Sequence, residues 1–250
     1  MSEAALPVWR DDWALFLDVD GTILEIAATP DAVRVPAQAV TAIAAAYRRL
    51  SGAVALVSGR SISDLDRLFA PLELPAAGSH GAQRRTAAGR VSGRHDAAAL
   101  APARERLARW TQAHVGALLE DKRDSLALHY RNVPQLEREA RLAVAEAAAA
   151  AGPAFHVQEG KMVLEIKARG TSKGRAIEEF MEEAPFKGRR PVFIGDDLTD
   201  EAGFEAVNRL GGHSIAVGIE RPTRARWRLR DAPDVLCWLE SQGDCAGGGR

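Results

Sequence analysis

Short apolar runs alternate with segments of helical period through most of the chain. WALFLDV (13–19), GAVALVS (52–58), RPVFIGD (190–196) and HSIAVG (213–218) have strand length and apolar residues at successive positions, the pattern of strands buried on both sides. PAQAVTAIAAAYRRL (36–50), SISDLDRLFA (61–70), TSKGRAIEEFMEEA (171–184) and TDEAGFEAVNRLGG (199–212) instead repeat their apolar residues at helical spacing. Ser61 can cap the second helix, Thr171 or Ser172 lies near the start of the third, and glycines end the fourth. Strands joined by helical crossovers predict an α/β fold, a Rossmann-like parallel sheet with helices on both faces.

The middle of the chain breaks this rhythm. AAGRVSGR (87–94) has the residues of a hairpin, LARWTQAHVGALL (107–119) reads as a helix, and VPQLEREARLAVAEAAAAAG (133–152) as a long Ala-rich one. SLALHYRN (125–132) and FHVQEGKMVLEIK (155–167) alternate apolar and polar residues, as strands with one buried face do, and the second is expected to turn at Glu159-Gly160. Residues 84–167 are therefore expected to form an α+β module inserted into a core built from 1–83 and 168–250.

Composition narrows the function classes. With 250 residues and 46% hydrophobic content the chain can bury a substantial core. Its 33 basic and 34 acidic residues give a formal net charge of -1, so neither nucleic acid nor a membrane is expected as partner. The basic stretches RRTAAGRVSGRH (84–95) and RPTRARWRLR (221–230) read as solvated faces or turns ahead of polyanion sites. Cys237 and Cys245 have no metal-ligand spacing, and MSEAALPVWRDDW lacks a signal-peptide layout. A cytoplasmic monomer is the expectation. Trp227 and Trp238 are expected in core packing, and His80 and His129 as structural histidines satisfied by backbone groups.

The candidate chemistry begins at FLDVDGTILE (16–25), where two carboxylates follow directly on a buried run. A carboxylate at such a position is costly unless a cation, a partner or solvent takes up its charge. In an open parallel sheet, ligands collect at the carboxyl ends of the strands. Asp18 and Asp20 end one strand, Ser58-Gly59-Arg60 another and Gly195-Asp196-Asp197 a third, while Lys173 opens a helix leading to the last. Such a group suits phosphoryl transfer, which needs charge neutralisation and an in-line nucleophile. Carboxylates without nearby His or Cys form a hard oxygen site that favours Mg2+. Asp18 can ligate that ion with one oxygen and attack phosphorus with the other, Ser58 can donate a hydrogen bond, and Lys173 supplies charge. The turn at Gly21 and Thr22 is expected to point its N–H groups at the anion. Lys173 is no P-loop lysine, because in TSKG it follows the serine instead of preceding it.

DVDGT, SGR, TSKG and GDDLTD, in that order, resemble the haloacid-dehalogenase superfamily of aspartate-nucleophile phosphatases. LVSGRSISDLDRL, AGSHGAQRR, LALHYRNVP, VLEIKARGTSKG and PVFIGDDLTDEAGFEAVNRLGG are similar to segments of one branch, the trehalose-6-phosphate phosphatases, over nearly the whole chain. Gln83 stands where that branch is expected to have an acidic residue, and Ala168 where its members often have proline. The resemblance implies a Mg2+-dependent hydrolase of trehalose 6-phosphate acting through an aspartyl phosphate. It makes Asp18 the nucleophile and Asp20 the acid that protonates the departing sugar oxygen, then the base for water. Mg2+ would be held by Asp18, the backbone carbonyl of Asp20 and Asp196, with Asp197 and Asp200 nearby or supporting Lys173. Gly21, Thr22, Gly59 and Arg60 would join Ser58 and Lys173 around the substrate. The cap would grip the sugar with Glu120, Lys122, Arg131, Asn132, Lys161 and Glu165.

Alternatives stand beside this. From the residues alone, Arg131 and Glu165 read first as cross-strand partners on the solvated face of a cap sheet, and only with the resemblance as substrate contacts. A phosphatase of another sugar phosphate such as sucrose 6-phosphate, a phosphosugar mutase, and a non-catalytic sugar-phosphate-binding regulator are the competing functions.

Overall fold

A computed structural model describes residues 6–26, 33–93, 97–122, 124–160 and 162–241. They belong to two compact units, Met1–Val91 with Ser172–Arg250, and Ser92–Thr171. The chain first lays down β1 (Trp13–Leu17), α1 (Ala37–Arg49), β2 (Val54–Val57), α2 (Ile62–Phe69), β3 (Ala76–Gly78), β4 (Gln83–Arg85) and β5 (Val91–Gly93). It then forms the second unit from α3 (Ala101–Ala113), β6 (Leu118–Asp121), β7 (Ser125–His129), α4 (Glu137–Ala151), β8 (Phe155–Gly160) and β9 (Val163–Ala168). Finally it returns to the first with α5 (Lys173–Met181), β10 (Arg190–Gly195), α6 (Glu201–Arg209), β11 (His213–Val217), β12 (Trp227–Leu229) and α7 (Ala232–Ser241).

The large sheet has the order β12-β11-β10-β1-β2-β3-β4-β5. β12 through β3 run parallel and β4 turns back antiparallel to β3. β1 lies at the centre, with Leu17 beside Ile194 on one flank and Leu56 on the other. All five residues of β1 and all four of β2 are buried, which explains the unbroken apolar runs. Phe16, Phe180 and Phe186 pack their rings under the sheet at centroid separations of 5.0–5.9 Å. α5 and α6 lie so close that a Cβ on Gly174 would stand 2.2 Å from the Ala202 carbonyl oxygen. That contact admits only glycine at the position following Lys173.

Several expectations are corrected. Residues 84–91 belong to the first unit and not to the inserted one, because the short run at 76–78 is a strand that pairs with 83–85. The helix expected over 107–119 stops at Ala113; Gly116 takes φ 102 and the chain re-emerges as β6. The hairpin does not turn at Glu159-Gly160, since β8 runs through both and reverses before Val163. Trp238 is buried as expected, and Trp227, half-buried on the edge strand, packs against the same core with its ring edge-on to His213 at 4.9 Å.

In the second unit the antiparallel order is β6-β7-β9-β8. Leu126, Leu128, Leu164 and Ile166 point to a core shared with Leu107 of α3 and Val144 of α4. The residues between them, including Ser125, His129 and Glu165, therefore occupy the opposite face. Among the described residues no helix is long and apolar enough to cross a membrane.

Candidate active site

Three adjacent parallel strands deliver their next residues to one edge of the large sheet. β1 runs into Asp18, whose N–H donates to the Ile194 carbonyl at 3.0 Å, while β10 runs into Asp196 and β2 into Ser58. Asp18 and Ser58 are buried, with 4% and 1% exposure. Lys173 reaches the same edge from α5, whose start is fixed by Ser172: its hydroxyl accepts from the Arg175 N–H at 3.1 Å.

The Lys173 ammonium lies 2.7 Å from Asp18 Oδ1 and 2.7 Å from Asp200 Oδ1. Asp200 Oδ2 accepts the N–H groups of Asp196 and Asp197 at 3.0 and 2.9 Å. Both oxygens of Asp200 are thus engaged, and the residue ties Lys173 to the backbone that carries Asp196. Asp197 is exposed and accepts from the Leu198 N–H at 2.6 Å, capping the turn that follows. Thr22 donates its hydroxyl to Asp196 Oδ1 at 3.1 Å.

The turn after Asp20 corrects one expectation. Gly21 N–H donates to the Leu24 carbonyl at 2.7 Å and Thr22 N–H to the Val19 carbonyl at 3.3 Å, so both are used within the turn and neither is offered to an anion. Gly21 is required for another reason: at φ 79 a Cβ there would stand 2.1 Å from Asp196 Oδ2.

Asp18, Asp196 and Asp200 each offer a carboxylate oxygen within 4.8 Å of the others. Burial pushes Asp18 up to about 7; Asp196 adds to the rise and Lys173 opposes it. Burial and the charge of Asp200 push Asp196 up to about 6, and burial with the charge of Asp18 takes Asp200 up to about 7. For Lys173 burial disfavours the charge, but Asp18 and Asp200 outweigh it and hold the ammonium above the usual lysine range. Three carboxylates facing one ammonium retain excess negative charge. A hard divalent cation with oxygen ligands fits that donor set, and the carboxylates of Asp18 and Asp196 are the ones that can turn to it.

Asp20 stands apart from this cluster. Arg60 donates from Nε to its Oδ2 and from Nη2 to its Oδ1, both at 2.7 Å. Arg60 thus grips Asp20 through its guanidinium. Its N–H donates to Ser58 Oγ at 3.2 Å. The turn Ser58-Gly59-Arg60 is held from outside by two residues in the left-handed region, Ser79 (φ 49) and His80 (φ 54). Ser79 N–H donates to the Arg60 carbonyl at 2.8 Å and His80 N–H to the Ser58 carbonyl at 2.9 Å. Gln83 accepts the Ile62 N–H at 2.8 Å and so completes the start of α2.

In the second unit, Glu120, Lys122 and Glu165 gather on the polar face of its sheet. Lys122 Nζ is 3.4 Å from Glu165 Oε1 and 3.9 Å from Glu120 Oε2, and Ser125 donates to Glu165 Oε1 at 2.6 Å. His129 corrects the expectation of a backbone partner: its Nε2 lies 3.0 Å from Glu120 Oε2, and that bond is the leading reason the Glu120 carboxyl titrates below its usual range. Arg131 and Asn132 are exposed on the turn after β7 and do not join this cluster. Lys161 lies outside the described residues.

Sequence reasoning missed the Arg60–Asp20 pair, the partners of Gln83 and the engagement of Ser125 and His129. The pairing of Asp20 with Arg60 spans 40 positions, and nothing in local spacing announces it. His129 carried a faint signal, since it alternates in register with the polar positions of β7.

The model of the family described as Trehalose-phosphatase matches residues 16–233. The chain is 47% identical over 229 residues to the trehalose-6-phosphate phosphatase of Escherichia coli, covering 91% of this chain and 85% of that protein. It is 45% identical over 215 residues to a probable trehalose-phosphate phosphatase of Sinorhizobium fredii, covering 86% of this chain and 81% of the relative. The crystal structure of a trehalose-6-phosphate phosphatase related protein matches it with a TM-score of 0.79 at 26% identity, over 92% of this chain and 96% of that one.

Proposed function

We infer, since this chain belongs to the trehalose-phosphatase family, that it hydrolyses trehalose 6-phosphate to trehalose and phosphate with Asp18 as nucleophile. The observation that carries the reading is Asp18 itself, a buried carboxylate at the end of the central strand, oriented by an ammonium 2.7 Å away. An Asp18 oxygen attacks phosphorus and the bond from phosphorus to the sugar oxygen breaks, leaving a phosphoaspartate. Asp20 gives the departing oxygen its proton. Asp20 then takes a proton from water, whose oxygen attacks the same phosphorus and returns Asp18 as a carboxylate. Lys173 and Ser58 neutralise and hydrogen-bond the phosphoryl oxygens.

Asp18, Asp196 and the Asp20 backbone carbonyl are the groups we assign to Mg2+. Bound there, the ion would offset the negative charge of carboxylates and phosphate as it builds in the transition state. Asp200 keeps Lys173 in place. We assign sugar recognition to the inserted unit, through Glu120, Lys122 and Glu165 together with Arg131, Asn132 and Lys161. A carboxylate and ammonium cluster on a polar sheet face supports this, because such groups bond to hydroxyls that an apolar surface would reject.

Phosphate release from trehalose 6-phosphate, sucrose 6-phosphate and glucose 6-phosphate, each with Mg2+ or with excess chelator, tests the reading. Trehalose 6-phosphate should be turned over far faster than the others and only with the metal. Comparable rates on sucrose 6-phosphate would reassign the substrate, and full activity in chelator would overturn the metal assignment.

A further inference from the structure

We propose that Arg60 is a positioning residue for the acid–base Asp20, and that the strained corner at Ser79-His80 exists to hold Arg60 in place. The proposal rests on the reading of Asp20 as acid and base given above. Its first support is the geometry of the pair. The guanidinium meets the carboxylate through two parallel bonds of 2.7 Å, an arrangement that fixes the carboxylate plane as well as its distance. The Arg60 side chain is 11% exposed, so the fork is held within the protein and not by a mobile surface arm.

The second support is how the backbone of Arg60 is fixed. Its N–H goes to Ser58 Oγ, and its carbonyl accepts from Ser79. Two consecutive non-glycine residues with positive φ carry backbone strain and persist where the surroundings demand them. Here both spend their N–H groups on the turn Ser58-Gly59-Arg60. The space around the corner is equally constrained, since a Cβ on Gly78 would stand 2.8 Å from the Arg60 carbonyl oxygen.

Asp20 follows Asp18 by two residues, and without a tether its carboxylate could swing toward the Lys173 ammonium and the acidic cluster. Arg60 keeps it out of that cluster and fixes the direction from which its proton reaches the leaving oxygen. Arg60 acts on the reaction through Asp20 and contributes no chemistry of its own.

A double-mutant cycle tests this with Arg60→Ala, Asp20→Asn and the double variant, measured by phosphate release from trehalose 6-phosphate at saturating Mg2+. Arg60→Ala should lower kcat by roughly tenfold to a hundredfold, the scale of a misplaced catalytic group, with KM nearly unchanged. Arg60→Lys should recover only part of the loss, because an ammonium cannot make the fork. In the Asp20→Asn background, Arg60→Ala should cost nothing further. Equal losses in both backgrounds, or a rise in KM at constant kcat, would overturn the proposal and make Arg60 a direct substrate contact. If Asp20→Asn alone keeps wild-type kcat, the acid–base reading fails and the proposal with it. Thermal melts with and without Mg2+ on each variant separate a folding defect from a positioning one, and Arg60→Lys carries the comparison if Arg60→Ala does not fold.

Discussion

Lys173 is the residue on which most of the site's charge depends. Its ammonium is buried between Asp18 and Asp200, which are themselves almost fully enclosed. Lys173→Met should destabilise the protein by roughly 3–5 kcal/mol at pH 8, because two buried carboxylates lose their cation. The cost should shrink at pH 5.5, where Asp18 and Asp200, both lifted to about 7 by burial before any lysine is removed, take up protons. Urea denaturation at the two pH values reads the difference, and an equal cost at both would show that the charges are not coupled as described. The two aspartates of the first motif should fail differently. Asp18→Asn should form no phosphoenzyme. Asp20→Asn should still be phosphorylated by an aryl phosphate, whose leaving group needs little protonation, and should turn over about 100-fold or more slowly. Rapid quench and mass spectrometry would show phosphate on the peptide containing Asp18, or refute the assignment by placing it elsewhere. Asp18, Lys173 and Asp196 were legible in the sequence because each sits beside a strand or helix end that its neighbours already announce. Arg60 on Asp20 was not, because it depends on which way a long side chain turns.

At the scale of elements, periodicity carried the central strands and the paired strands β7, β8 and β9, since burial on two faces or on one leaves opposite patterns. It failed for β3 and β12, each of three residues, which are too short to show any period. It failed again at β6, where LLED joins an apolar run that the preceding helix shares. The role of Gln83 belongs to this scale as well. Its side-chain oxygen accepts from the first N–H of α2, a place where an acidic residue would serve equally. Gln83→Ala should cost roughly 1 kcal/mol of stability and Gln83→Glu close to nothing, with kcat unaffected in both, as denaturation and steady-state assays would reveal. In the inserted unit, Lys122→Ala should reduce kcat/KM on trehalose 6-phosphate by roughly tenfold or more, for a lost charged hydrogen bond, while leaving a small aryl phosphate untouched. A parallel loss on both substrates would mean that Lys122 holds the sheet together and does not select the sugar.

For the whole molecule, the acidic cluster links stability to pH and to metal. Asp18, Asp196 and Asp200 titrate near 7, 6 and 7 in the fold against 3.8 in the free side chain. The folded protein therefore keeps protons that the unfolded chain has released, and this contribution to stability is full below pH 4 and lost as pH rises through 7. A divalent cation held by the deprotonated cluster, as proposed above, would restore what is lost. The gain in Tm on adding Mg2+ should be larger at pH 8 than at pH 5.5, as differential scanning fluorimetry with a chelator control would show; a gain independent of pH would detach the metal from these carboxylates. The division of the chain was visible in outline, because the change from doubly buried to alternating runs marks an insertion. Its edge was misplaced at 84–91, where a strand turning back on the large sheet carries arginines that read as surface.

The position of β1 at the centre of the large sheet has a consequence for how the protein is made. One neighbour, β2, follows after 36 residues of chain, from Leu17 to Val54, while the other, β10, begins only at Arg190. As the polypeptide leaves the ribosome, β1 must wait with one edge open until the inserted unit has been synthesised and α5 has passed. The inserted unit, with all its strand partners within residues 118–168, can close in the meantime. Premature termination before residue 190 therefore releases a chain whose fully buried central strand offers an unpaired edge, a template for aggregation. The buried charges of Asp18 would meet Lys173 before Asp200 arrives, so the last turn of the site to be translated is also the one that locks it.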